Sequence, residues 1–241
     1  MITKNQIKLV KSLRNKKNRI KTGYFIAEGE KIVDELIKSK IELAFAFSTS
    51  KKYMILDKFF QINDNQLSMI SNLKKPNKVL GIFKIPEITK VDFNSNIVAL
   101  EEINDPGNLG TIIRLCDWFG IKNIICSNGS VDCYNPKVVQ GSMGSISRVN
   151  ISYLDFDKLF LKHDYDVVAS HLDGVKLENY NFKSNQIILF GSESKGLSKK
   201  FLSKLTNKLT IGRLNNNLDS LNVATSVAIV LNGLMNGVTE K

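Results

Sequence analysis

The chain has 241 residues, 27.1 kDa and 43% hydrophobic content, enough for one large or two small domains with real cores and no covalent staples. Its cysteines, Cys116, Cys126 and Cys133, are odd in number, form no Cys-x-x-Cys and lie far from His163 and His171, so reduced thiols in a cytoplasmic protein and no metal site are expected. The net charge of +11 resides wholly in residues 1–90, which hold 19 Lys+Arg against 8 Asp+Glu, while the remainder holds 15 of each; that asymmetry points to a polyanion-binding module joined to a neutral domain.

The opening MITKNQIKLVK has no apolar secretory stretch. Residues 4–21 carry eight Lys/Arg and no acid, with Ile7, Val10, Leu13 and Ile20 near helical spacing, and predict one basic amphipathic helix. A strand over Tyr24–Glu28 ends at Gly29, a helix follows from Glu30 to Ser39, and short strands near 43–48, 61–62 and 79–83 alternate with a helical piece at 65–71. This is a small α/β module. Residues 84–95, with Pro86 and many polar residues, form the linker, and a boundary near residue 92 divides the chain into 1–91 and 92–241.

Beyond it, strands over 97–100, 123–126, 166–170, 186–190 and 208–211 alternate with helices over 109–119, 155–163, 199–205 and 221–235. Alternation of this kind predicts a mostly parallel sheet with helices on both faces. The longest uncharged run, 220–239, contains Asn222, Thr225, Ser226, Asn232, Gly233 and Asn236, so a membrane span is not expected.

Three strand-to-helix loops in this half are polar and rich in small residues, which suits ligand binding at the C-terminal ends of parallel strands. In Asp105–Arg114, Asn108 is read as the N-cap of a helix from Leu109, with Arg114 in its second turn. An ordinary surface arginine paired with Asp117 or another acid is the plain alternative. In Gly191–Ser198 the two glycines and terminal serine imitate a phosphate loop, but Leu197 stands where a lysine is needed, which excludes a nucleotide triphosphatase. There Glu193 is either a crevice carboxylate or a solvated loop residue. In Thr210–Ala224, Ser220 is read as the cap of an uncharged, buried helix, and Ser220 and Asn222 at its entry need partners.

Taken in order, these loops resemble the three signature motifs of the SpoU/TrmH family of RNA ribose 2′-O-methyltransferases, in the SPOUT superfamily: Asn108, Gly110 and Arg114; Gly191, Glu193 and Gly196; Ile211, Ser220, Leu221, Asn222, Val223 and Ala224. Lys137–Gly144 resembles the intermediate segment, and Leu13, Lys16, Arg19, Gly23, Phe25, Glu28 and Gly29 resemble the substrate-binding domain many members carry. Ile211-Gly212-Arg213 departs from the usual Ile-Pro-Met.

The resemblance implies a small L30e-like α/β domain followed by a SPOUT α/β domain with a trefoil knot, a homodimer, and methyl transfer from S-adenosylmethionine to a ribose 2′-hydroxyl of structured RNA, with 23S ribosomal RNA favoured over transfer RNA. It places the cofactor near Leu189, Gly191, Gly196, Ile211, Leu221 and Asn222, and the chemistry on Arg114, Asn108, Glu193, Ser220 and Asn222. A guanidinium is hardly ever deprotonated, so Arg114 is expected to stabilise charge or anchor phosphate instead of acting as a base. Lys11, Arg14, Lys16, Lys17 and Arg19 would grip RNA. A non-catalytic RNA-binding or ribosome-assembly protein and a small-molecule methyltransferase stay open as alternatives.

Overall fold

A computed structural model describes residues 2–162, 165–193, 195–203, 205–215, 217 and 220–239. The expected helix end at His163, and Ser194, Lys204 and Asn216 in other expected segments, lie outside the described residues. The chain forms two units, one of Met1–Glu87 with Asp132–Ser147, the other of Ile88–Val131 with Arg148–Lys241.

The first unit carries a four-stranded sheet in the order β1-β4-β2-β3, from β1 (Tyr24–Glu28), β2 (Leu43–Ser48), β3 (Phe59–Gln61) and β4 (Val79–Lys84). β4 is antiparallel to both neighbours and β3 is parallel to β2. Val10, Leu13, Ile26, Phe47, Leu67, Ile70, Leu80 and Ile82 fill its core, each such side chain contributing about 1.5–3 kcal/mol by leaving water.

The single basic helix expected over 4–21 is two helices, α1 (Lys4–Ser12) and α2 (Lys16–Thr22). Asn15 breaks it, because its side chain accepts the Lys17 N–H at 2.8 Å and so starts a new helix. The change of direction takes Ile20 off the apolar stripe: it is 71% exposed. Helices α3 (Glu30–Lys38) and α4 (Asp64–Ile70) follow the expected positions, and a capping box of Asn63 and Gln66 starts α4.

The boundary expected near residue 92 falls at 87/88, and residues 132–147 return to the first unit. Two long-range contacts explain the return: Asp132 pairs with Arg19, and the ring of Tyr134 lies 4.8 Å from that of Phe25. Helix α6 (Pro136–Ser142), capped by Asn135 and begun by proline, packs on β1.

The second unit is a six-stranded parallel sheet in the order β10-β8-β9-β5-β6-β7. Its strands are β5 (Ile97–Leu100), β6 (Asn123–Ser127), β7 (Asn150–Leu154), β8 (Val167–Lys176), β9 (Ile187–Phe190) and β10 (Lys208–Thr210). All four residues of β5 and of β9 are buried, as expected for central strands covered on both faces. Helices α5 (Pro106–Trp118), α7 (Phe156–Lys162), α8 (Lys199–Leu202) and α9 (Val223–Thr239) complete it, and α5 packs on α9.

β8 runs further than expected because its pairing with β10 jumps register: Lys208 faces Ala169, yet Leu209 faces Val175. The intervening residues bulge out, and the strand closes again at Gly174, where a Cβ would lie 2.7 Å from the Lys208 carbonyl carbon.

Candidate active site

Helix α5 starts three residues earlier than its sequence pattern predicts. Asp105, not Asn108, is the cap: its carboxylate accepts the Asn108 N–H at 2.9 Å, and Pro106 fills the first helical position, where no N–H is needed. This moves Arg114 to the third turn and leaves the Asn108 side chain available. Likewise α9 is capped by Asn222 and not by Ser220, the Asn222 Oδ1 accepting the amides of Ala224 at 2.9 Å and Thr225 at 3.3 Å.

These two corrections create a directed chain. With its oxygen committed to the helix, Asn222 can offer only its amide group, which donates to Asn108 Oδ1 at 3.0 Å. Asn108 must then turn its own Nδ2 outward, and it donates to Glu193 Oε1. An acceptor-only carboxylate suits that position. Asn108, in the first turn of α5, Glu193 and Asn222 are thus brought together from three separate segments, with every amide orientation fixed.

Arg114 is not part of this chain. It lies exposed on α5, and among the described residues it has no ion pair or hydrogen bond. Asp117, its plain alternative partner, is engaged by Arg148, whose Nε and Nη2 approach at 2.9 and 2.8 Å.

The ends of β8, β9 and β10 surround a cleft of about 580 Å³. Gly191, Glu193, Gly196, Ile211, Ser220 and Leu221 line it. At Gly191 the backbone doubles back so closely that a Cβ would lie 2.2 Å from the Gly196 carbonyl carbon. The Gly196 N–H donates to Ser192 O at 2.9 Å, which closes the turn, and Gly196 itself has φ +63°.

The Leu189 side chain is fully buried in the sheet core, and the next residue, Phe190, lines the cleft. Asn222 serves as cap and link instead of lining the cleft, and Asn108 and Arg114 do not line it either. The residues missed are Ser170, His171 and Leu172, presented by the β8 bulge. The Asp173 N–H donates to His171 Nδ1 at 3.1 Å and Thr210 Oγ1 to the Leu172 carbonyl at 3.2 Å, which fixes that bulge. Gly174 was the available signal.

A cleft of this volume, with apolar walls from Leu172, Leu197, Leu202, Ile211, Leu221 and Val223 and a side-chain-free backbone cradle, fits a nucleoside carrying an amino-acid arm. Polar side chains on its lining come from hydroxyls, His171, Glu193, Lys195, Arg213 and Asn215, and among the described residues no cluster of His, Cys, Asp or Glu could hold a metal ion.

Of the basic residues expected to grip RNA, Lys11, Arg14, Lys16 and Lys17 are exposed. Arg19 is not available. It is 2% exposed, donates from Nη1 to the Leu13 and Arg14 carbonyls at 2.8 and 3.0 Å, and holds Asp132 through Nε and Nη2. Its place in the sequence pattern reflects packing, because a buried guanidinium with all its faces engaged has none left for phosphate.

Residues 95–232 match the SpoU rRNA Methylase family, and residues 4–81 the MRM3-like substrate binding domain. The chain is 26% identical over 247 residues to the 23S rRNA (guanosine(2553)-2′-O)-methyltransferase RlmP of Bacillus subtilis, covering 95% of each chain. It is 33% identical over 183 residues to an uncharacterized tRNA/rRNA methyltransferase of Mycoplasma pneumoniae, covering 73% of this chain and 74% of that one. Among solved structures, an RNA methyltransferase of the TrmH family from Porphyromonas gingivalis superposes with a TM-score of 0.87 at 30% identity, covering 97% and 98% of the two chains. An AdoMet-bound rRNA methyltransferase from Sinorhizobium meliloti gives 0.84 at 26%, covering 98% and 96%. The segment matched spans more than half of the chain and contains all three loops that build the cleft and its amide chain, and the protein belongs to the SpoU rRNA methylase family.

Proposed function

We propose that the protein methylates a ribose 2′-hydroxyl of 23S ribosomal RNA, using S-adenosylmethionine held in the cleft between β8, β9 and β10. The observation that carries this reading is the Gly191–Gly196 cradle, whose wall includes Glu193, the same carboxylate that terminates the chain from Asn222 and Asn108. When bound, the cofactor supplies an electrophilic methyl group on a sulfonium sulfur.

The protein's own residues do the rest. Backbone groups at Gly191, Ile211 and Leu221 would hold the cofactor, with the apolar walls excluding water. The fixed Asn108–Glu193 pair orients the ribose, and such alignment supplies about 7–11 kcal/mol in favourable cases. The exposed Arg114 guanidinium would stabilise the oxyanion developing at O2′ or anchor the neighbouring phosphate. Because Arg114 does not line the cleft of its own chain, we read the working form as a homodimer in which it serves the partner's cleft. The trefoil knot implied by the family belongs to the same reading, as does a cytoplasmic site of action, for which the three buried, unbridged cysteines speak.

Labelled S-adenosylmethionine, presented with ribosomal and transfer RNA from cells lacking the gene, tests the assignment. Label recovered as a 2′-O-methylnucleotide in 23S RNA, at a rate lowered about 10²–10³-fold by Arg114→Ala, is expected. Label in transfer RNA alone would refute the substrate class, and absence of cofactor binding would refute the enzyme.

A further inference from the structure

The sequence pattern places the RNA grip on the first two helices, yet α1, α2 and the 71–78 loop after α4 are stitched into one surface. Arg14, at the turn between α1 and α2, donates from Nη2 to the carbonyls of Ser71 at 3.0 Å and Ile70 at 3.5 Å, the last residues of α4 and its exit. Arg14 is thus partly consumed in holding the two segments together. Beneath the same point lies Glu28, 5% exposed at the end of β1, a carboxylate that the methyl-transfer chemistry does not use. It accepts the Asn72 N–H at 2.9 Å, the Asn72 side-chain amide at 2.8 Å and the Ser71 hydroxyl. A buried carboxylate with three donors is a strong, directional anchor.

The other end of the loop is pinned as well. The Lys78 carbonyl accepts the Thr49 N–H at 2.9 Å and the Ser48 hydroxyl at 2.7 Å, while its ammonium meets Glu30 at 3.1 Å. Between these anchors Lys74 and Lys75 stand exposed, followed by Pro76, and among the described residues neither has an acidic partner. Two ammonium groups held in the open by a rigid base, with the nearby carboxylates Glu28 and Glu30 already engaged, make a surface for an anion larger than a single ion.

We propose that Lys74 and Lys75 form the second half of the RNA contact, gripping the phosphodiester backbone alongside Lys16 and Lys17 of α2. The proposal rests on the reading of the protein as an RNA enzyme. Lysine ammoniums act as point charges that neutralise phosphates without reading bases, so the contribution is to affinity and salt dependence, not to choice of nucleotide.

The test measures binding of full-length protein to in-vitro-transcribed 23S RNA across a salt series, for the wild type, Lys74→Ala/Lys75→Ala, Lys74→Arg/Lys75→Arg and Lys16→Ala/Lys17→Ala, with S-adenosylmethionine affinity as the check on folding. At ~0.7 of log–log slope per phosphate released, the 74/75 alanine pair is expected to lower the salt slope by about 1.4, and the arginine pair to keep it. A wild-type slope in the 74/75 alanine pair, with a reduced slope in the 16/17 pair, overturns this proposal and leaves the RNA-enzyme reading standing. Salt-independent or absent binding by the wild type overturns both.

Discussion

Asn108 shows how much one side chain can be constrained from outside. Its acceptor side faces the Asn222 amide and its donor side faces Glu193, so neither half can rotate without breaking a contact. Asn108→Asp therefore replaces a donor with a second carboxylate against Glu193, and it is expected to reduce methyl transfer more than Asn108→Ala does; single-turnover rates of the two variants decide it. Arg114→Ala removes an exposed cation that pairs with none of the described residues. We expect kcat to fall by about 10²–10³, with cofactor affinity essentially unchanged, as for loss of one group that acts mainly in the transition state. Gly191→Ala has the opposite signature, because its methyl group would overlap the Gly196 backbone and deform the cradle itself. Calorimetry should record lost cofactor binding in a variant that still binds RNA.

Secondary-structure elements are held at two polar junctions. In the first unit the buried Arg19–Asp132 pair fastens the returning segment, and burial pushes the phenol of the adjacent Tyr134 well above its ordinary range. Asp132→Ala leaves an uncompensated guanidinium inside and is expected to cost about 3–5 kcal/mol, read from urea unfolding. In the second unit Asp166, just before β8, is pushed upward by desolvation, but hydrogen bonds from Lys183, Gln186 and Asn207 and the Lys183 charge together hold its carboxyl below the ordinary 3.8. A depressed carboxylate contributes stability that is fully present above its unfolded value and is lost as pH falls through the folded one. Stability measured below pH ~4 should therefore decline less steeply in Asp166→Asn than in the wild type.

The elements most legible in the sequence were those whose signal is local. The apolar runs of β1, β2, β5 and β9 stood within a residue of their places, since buried strands are written as continuous hydrophobic stretches. Caps were misassigned where two suitable residues lay close together, Asp105 with Asn108 and Ser220 with Asn222, and Pro106 was the local clue that would have decided the first. The edge strand β7 and the β8 bulge were missed because half-exposed, polar-rich strands carry no strong period. The allegiance of residues 132–147 was beyond any local reading, since Arg19 and Asp132 meet across 113 residues of chain.

At the scale of the molecule, charge and chemistry occupy different units. RNA affinity should fall steeply between low and moderate salt, while cofactor affinity, if set by the apolar cleft and backbone groups as proposed, should stay nearly flat. Parallel titrations of the two ligands check this. The homodimer reading has its own test: co-expression of Arg114→Ala with Gly191→Ala chains should regenerate activity if Arg114 serves the partner's cleft, because each mixed dimer then holds one intact pairing. A wild-type arrangement within single chains predicts none.

The peptide passes between the units at 87/88, at 131/132 and again at 147/148. For a lineage exchanging gene fragments, this makes the N-terminal unit a poor cassette. One crossover near codon 87 would deliver an Arg19 from one parent and an Asp132 position from another, so a chimera with any uncharged residue there would inherit an orphaned cation in its interior. Successful grafts must carry the short stretch 132–147 along, so these sixteen codons should be inherited with the first 87 and not with the catalytic sequence that surrounds them.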